Sequence, residues 1–384
     1  MPLVAPLRGS VDRPSVSLDV DVDNERSEAS GRSRNTGKFV GEISPTRRRY
    51  DRRNVVRRLA NWLFNKDEGL RSSFDGVARC GFALGAEVSL KSDGDSTWPS
   101  GVRSCGLVWV CPTCSAKIKS RRAVELENAT AVHVNRGGLL SMVTTTVRHD
   151  STMTLVQVLS AVKGSWRKVQ SRKSWLDLRG ALDGHVIATE VTVGDNGWHP
   201  HLHALLFLKP GVAQLEIDKL VGALRDDWLE LVTEALGKSP SIERGVHVLH
   251  FGTDHAAAAA HYVSKIAKEL TGGELKSGRD PFSLLDGAAD GDARSIARFV
   301  EYADAMKGKQ SLSWSKGLRA LLQIEEKTDE EIADDDDDLG LVVGRIDAAR
   351  WDALVRSGEV GQALDQMQEM IRGLGLVFVA DRVT

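Results

Sequence analysis

Near the middle of the chain, Val186 to Val193 and His201 to Leu208 are two strand-like runs around Gly194-Asp195-Asn196-Gly197, and that turn chemistry predicts a β-hairpin. Upstream, Leu139 to Val147 is apolar and β-branched and reads as a buried strand. Thr154 to Val169 then shows helical spacing, with Lys163, Arg167 and Lys168 on its polar side. Downstream, residues 212 to 236 read as a helix and Val246 to Phe251 as a short strand. Ala256 to Leu270 reads as an Ala-rich helix capped by Thr253 or Asp254. The order β-α-β-β-α-β-α, with a hairpin between helices, predicts an α+β fold: an antiparallel sheet with helices on one face. Pro200 is expected at a strand entrance, where a missing N–H is tolerated.

Outside this core the pattern changes. Residues 1 to about 45 are rich in Ser, Arg, Asp and Gly without apolar period and read as a disordered tail. An Arg-rich pattern from Val55 to Leu70 suggests a short helix. A terminal amphipathic helix is expected from about 346 to 371. The expected domains are thus the tail 1–45, a basic and cysteine-rich segment 46–125, a catalytic domain 126–275, an extension 276–330, and an acidic linker with a C-terminal helix over 331–384.

The 384 residues carry a net charge of only -2, but the charge is segregated. Arginines crowd Arg47 to Arg58, whereas Asp334 to Asp338 is purely acidic. Such basic runs can contact phosphates, although a solvated charged face is their commoner meaning. The N-terminus lacks the apolar segment of a secretion signal, and no run approaches the roughly 18 apolar residues of a membrane helix, so the chain reads as cytoplasmic, without a membrane partner.

In that reducing setting the four cysteines, Cys80, Cys105, Cys111 and Cys114, favour a structural Zn²⁺ site over disulfides. A second metal site is suggested by Trp198-His199-Pro200-His201-Leu202-His203. On a strand His201 and His203 face the same way. A four-residue loop Gly194 to Gly197 sets Glu190 opposite His201, and a two-residue loop Asn196-Gly197 sets it opposite His203. Either register adds a carboxylate to two imidazoles, a set suited to Mg²⁺ or Mn²⁺ with open positions. His199 is the alternative third ligand if the strand begins before Pro200.

Tyr262, Lys265 and Glu269 form one stripe of the expected helix, flanking the apolar stripe of Val263, Ile266, Ala267 and Leu270. Deprotonating a tyrosine at pH 7 costs about 4 kcal/mol, which a nearby divalent ion and Lys265 can offset. On the helix alone, Tyr262 reads as an amphipathic packing residue rather than a nucleophile.

Three motifs then resemble those of rolling-circle replication initiators of bacterial plasmids, in the HUH endonuclease superfamily, particularly the zinc-containing actinobacterial group. They are Leu140 to His149, Trp198 to His203, and Tyr262-Val263-Ser264-Lys265, within a likeness spanning about residues 75 to 320. The tyrosine follows the histidine motif, as in initiators rather than conjugative relaxases. The resemblance implies an RNA-recognition-motif-like core. It also implies metal binding by His201 and His203 with Glu190 or His199, cutting by Tyr262, and phosphate positioning by Lys265. The partners implied are plasmid origin DNA, at a single-stranded or hairpin nick site, and a host helicase and DNA polymerase. The third motif has one tyrosine where some relatives have two, so Glu269 activating water or a second subunit's tyrosine would end the round. A metal-dependent hydrolase without a covalent step and a non-catalytic zinc-module DNA regulator are the other readings.

Overall fold

A computed structural model describes residues 43–64, 72–251, 279–335 and 340–374. The expected N-terminal tail to residue 42 and the expected helix carrying Tyr262, Lys265 and Glu269 lie outside the described residues.

Eight strands form two antiparallel sheets among the described residues. The strands are β1 Glu87–Ser92, β2 Thr97–Ser100, β3 Leu139–Thr145, β4 Leu182–Gly194, β5 Gly197–Leu208, β6 Val246–Phe251, β7 Leu312–Trp314 and β8 Leu341–Asp347. The larger sheet runs β6-β3-β5-β4-β7, with the predicted hairpin β4/β5 near its centre. The architecture is therefore α+β and antiparallel, as the sequence pattern predicts.

Each face of this sheet is packed by what alternation supplies. Leu202, Ala204, Leu206 and Leu208 of β5 point to one side. There they meet α3 (Leu155–Val169), α4 (Lys173–Gly180) and α5 (Gln214–Leu236) through Trp166, Trp175 and Trp228. Helix α3 starts where Thr154 and Gln157 form a reciprocal capping box. On the other side, Leu205 and Phe207 pack with Leu140, Met142, Val186 and Ala188 against Leu126 and Ala129. These last two belong to α2 (Pro112–Asn135), which opens with Pro112 in its first turn. The α2 helix ends with His133 Nε2 3.0 Å from the Leu208 carbonyl, tying it to the sheet. The layer expected on one face is present, and α2 adds a partial cover to the other.

Pro200 does not mark a strand start. It lies inside β5, paired with Val191. The β3 ladder reaches only to Leu202, so at Pro200 the strand has one neighbour, and a missing donor is tolerated there for that reason. Gly197 opens β5 at φ 93°, a conformation glycine adopts without strain.

Two further expectations are corrected. The first helix, α1, spans Pro45–Phe64, so it begins ten residues earlier than the apolar pattern suggests because its first turns are Arg-rich yet still packed: Tyr50 and Arg53 are buried. The C-terminal region is a strand, β8, followed by α8 (Ala348–Ser357) and α9 (Val360–Gly373), rather than one helix. Gly358 at φ 83° breaks the helical run, and β8 extends the β1/β2 hairpin into the smaller sheet. Trp351, Val355, Val360 and Leu364 pack with Val88, Leu90 and Tyr50, so this end of the chain shares a core with β1 and α1. Helices α6 (Ala293–Met306) and α7 (Asp329–Asp334) add Phe299, Tyr302 and Ile332 to the core that holds the cysteines, and α7 carries Asp334 of the acidic run. No helix of the described residues is long and apolar enough to cross a membrane.

Candidate metal centres

The β4/β5 register places Glu190 opposite His201 and Ala188 opposite His203. This is the register of the four-residue loop, and it brings Glu190, His201 and His203 onto one face with ligand atoms within 4.8 Å of one another. Glu190 Oε2 lies 2.8 Å from His203 Nε2 and 3.6 Å from His201 Nδ1. Burial works against ionising Glu190, but the two imidazoles outweigh it and hold the carboxyl down at about 2. An ionised carboxylate with two imidazole nitrogens, on side chains still 13–24% exposed, is a donor set for a divalent ion that keeps positions open to an incoming oxygen.

Supporting contacts come from the neighbouring strand and helices. Thr144 on β3 pairs with His203, and its hydroxyl lies 3.0 Å from His203 Nδ1. That contact leaves Nε2 facing Glu190 and fixes the ring, the usual arrangement around a ligating histidine. Trp198 donates its indole N–H to Glu301 of α6 at 3.0 Å, while Glu301 also accepts from the Leu155 amide at 2.7 Å, anchoring the hairpin to two helices. Lys119 of α2 lies within the electrostatic reach of Glu190 and Asp280; burial pushes its ammonium pKa down and the two carboxylates oppose this.

His199 occupies the same face but stands outside the trio. Its Nδ1 is 2.6 Å from Nε2 of His149, whose Nδ1 donates to the Asn196 carbonyl at 3.1 Å. A carbonyl only accepts, so His149 Nδ1 carries the proton and the neutral ring's Nε2 accepts from His199 Nδ1–H. Burial, then the neighbouring His149 and His201, push the His199 pKa down to about 4. Thr144, His149 and Lys119 were not legible as site residues, because strand pairing and the position of α2 bring them in.

The second cluster is closed. Cys80, Cys105, Cys111 and Cys114 are free thiols whose sulfurs also lie within 4.8 Å of one another, with Cys80–Cys111, Cys80–Cys114 and Cys105–Cys114 separations of 3.7, 3.6 and 3.6 Å. A tetrahedral ion with metal–sulfur bonds of about 2.3 Å spaces its sulfurs by about 3.8 Å, so the cluster has the size of a four-thiolate site. Hydrogen bonds, first from Cys105, favour the Cys111 thiolate and lower its pKa; the same contact raises that of Cys105.

The surroundings supply positive charge. Arg53 of α1 is buried, and its Nε and Nη2 have no hydrogen-bond partner among the described residues. It lies over the Tyr50 ring at 4.6 Å and fills the space against Gly81, where a Cβ would meet its Nη1. Arg57 donates to the Cys80 carbonyl at 2.8 Å; burial, then Arg53, push its pKa down to about 10 while Cys80 and Cys111 pull it back. One buried and one half-buried guanidinium beside four thiols fit an ionised, metal-bound cluster carrying net negative charge.

Residues 102–352 match the family model described as "Replication protein", which covers more than half of the chain. The chain belongs to this replication protein family. Among curated proteins it is similar to "Protein rep" of Streptomyces lividans, 30% identical over 299 residues, covering 59% of this chain and 65% of that one. It is also similar to a "Neomycin resistance protein" of Streptomyces cyanogenus, 31% identical over 160 residues, 35% of this chain and 34% of the other. The chain thus spans less than two thirds of either relative's length. No solved structure matches.

Proposed function

We propose that this protein initiates plasmid rolling-circle replication by nicking origin DNA and holding the cut strand covalently. The observation that carries the reading is the ionised Glu190 beside His201 and His203 on a paired hairpin, in a chain of the replication protein family. Glu190, His201 and His203 would hold Mg²⁺ or Mn²⁺, and when bound such an ion withdraws charge from the scissile phosphate.

Tyr262, the nucleophile on the sequence reading, attacks phosphorus; the new O–P bond forms as the bond to the 3′ oxygen breaks, and that oxygen leaves as a 3′-OH after taking up a proton. Lys265 offsets phosphate charge, and the 3′-OH is then a primer for a host polymerase behind a host helicase. Glu269, or the tyrosine of a second copy, closes the round. Zn²⁺ in the cysteine cluster has a structural part, since four thiolates leave no open position.

The test is incubation of the full chain with supercoiled plasmid carrying the DNA around its own gene, plus Mn²⁺. The expected product is a detergent-stable adduct mapped by mass spectrometry to Tyr262, lost in Tyr262→Phe and in His203→Ala. Metal-dependent cutting without an adduct would instead assign a hydrolase.

A further inference from the structure

On the sheet face opposite the Glu190 cluster, the helices leave part of the floor uncovered. Alternation along β4 puts Ile187 and Thr189 on that face, next to the edge strand β7. Helix α3 forms one wall with Lys163, Trp166, Arg167 and Gln170, which share a helical stripe. The 308–316 segment forms the other wall. Between them is a groove of about 930 Å³.

Five cations line it: Lys163, Arg167, Arg179, Lys309 and Lys316. None of them forms an ion pair with the described residues, although nearby Lys168 and Arg172 are paired with Glu234, Asp227 and Glu230. The single lining carboxylate, Asp183, lies 3.7 Å from His133. Burial, then the repulsion of Lys309, push the Lys163 pKa down to about 8. At the β7 end the floor is small and polar: the Ser315 hydroxyl accepts from the His185 amide at 2.9 Å, and a Cβ at Gly184 would meet that hydroxyl. Trp314 borders the groove on the edge strand, but it pairs with Val186 and its side chain packs with the core on the α2 side, where the Arg319 guanidinium lies 4.7 Å from the ring centroid.

Unpaired cations along an open groove are the elements of a track for a single-strand nucleic-acid backbone, where charges follow the phosphates without sequence readout. We propose that this groove holds the phosphodiester backbone of a single DNA strand. The inference rests on the DNA-acting reading above and adds a binding surface away from the metal cluster.

The test reads binding without cutting: fluorescence anisotropy of a labelled mixed-sequence single-stranded oligonucleotide, in EDTA, across a series of NaCl concentrations. The variant is Lys163→Gln/Arg167→Gln/Lys316→Gln, and the charge-matched control is Lys173→Gln/Lys219→Gln/Arg350→Gln. The groove variant is expected to bind about tenfold more weakly or worse, with a salt slope smaller by about 2, at about 0.7 per lost phosphate contact. The control is expected to match the wild type. Equal losses in both variants, or no loss in the groove variant, overturns the proposal. A parallel arm with pyrophosphate reads protection against thermal unfolding; a groove variant that loses this protection but keeps oligonucleotide binding makes the groove a small-anion site and overturns the strand. If the triple variant unfolds, Arg167→Gln/Lys316→Gln, both exposed positions, carries the same test with a slope change of about 1.4. A plasmid that gives no Tyr262 adduct while the groove result holds would remove the nicking chemistry alone.

Discussion

The cysteine cluster and the Glu190 cluster are both groups of ligand atoms within 4.8 Å of one another, but one is sealed and the other is held open. Cys80, Cys111 and Cys114 are buried and join the core that includes Val56, Leu59 and Ile118, so whatever they bind is shared between α1, α2 and the loops that join them. The Glu190 trio lies on a strand pair whose apolar contacts are complete without it: Leu205 and Phe207 pack further along β5, while Glu190, His201 and His203 keep part of their surface. A ligand set inside the core stabilises the fold, whereas one at the end of a finished sheet leaves coordination positions for a substrate.

Cysteine loss is the largest expected effect. Cys111→Ser, or strict metal removal from the wild type, is expected to lower the melting temperature by about 10 °C or more, because the free energy of binding a structural ion is folding free energy. Differential scanning calorimetry with and without a zinc-selective chelator reads this directly. An unchanged transition would make the four thiols ordinary core residues and erase the comparison.

The opposite signature is expected at the other cluster. His203→Ala should leave the melting temperature within about 2 °C while abolishing Mn²⁺ binding by calorimetric titration and reducing origin nicking by about a thousandfold. A variant that loses stability without losing Mn²⁺ affinity would move the trio into the structural class.

Some of this contrast could be read from residues alone, and what could not has a physical reason. Alternation is local, so the hairpin, the shared face of His201 and His203, and the two possible partners of Glu190 follow from sequence; the choice between partners depends on which turn closes, and Asp195-Asn196 closes it with Gly194 paired to Gly197. Thr144 could not be placed, since the β3/β5 ladder joins residues 59 apart and nothing local specifies that register. The strands β1, β2 and β8 escaped for a similar reason. Glu87–Ser92 and Thr97–Ser100 are short and half polar, and they become strands by pairing with each other and with Leu341–Asp347. Arg53 was legible as a charge in a run; its burial was not, because a run of arginines is usually solvated and only the packing of α1 against the cysteine loops reverses that.

Arg53 tests the sealed half of the comparison at intermediate size. Arg53→Met keeps most of the side-chain volume and the contact with Tyr50 but removes a countercharge, so the cluster is expected to release zinc about tenfold to a hundredfold more readily to a competing chromogenic chelator. Arg53→Lys should recover part of the loss. Equal release from the wild type and Arg53→Met would mean that the buried guanidinium answers to something other than the thiolates.

Thr144→Val makes the smallest expected change and bears on the open half. The substitution keeps the β-branched shape on β3 and removes the hydroxyl 3.0 Å from His203 Nδ1, so the sheet and its core lose little. Without that contact the imidazole can rotate and either nitrogen can carry the proton, so part of the population no longer presents a lone pair at Nε2. Mn²⁺ affinity is expected to fall about tenfold, with nicking restored by raising the Mn²⁺ concentration, and Thr144→Ser should retain most of the affinity. Were Thr144→Val to bind Mn²⁺ as tightly as the wild type, the orientation of His203 would rest on Glu190 alone, and the open site would need no support from the strand beside it.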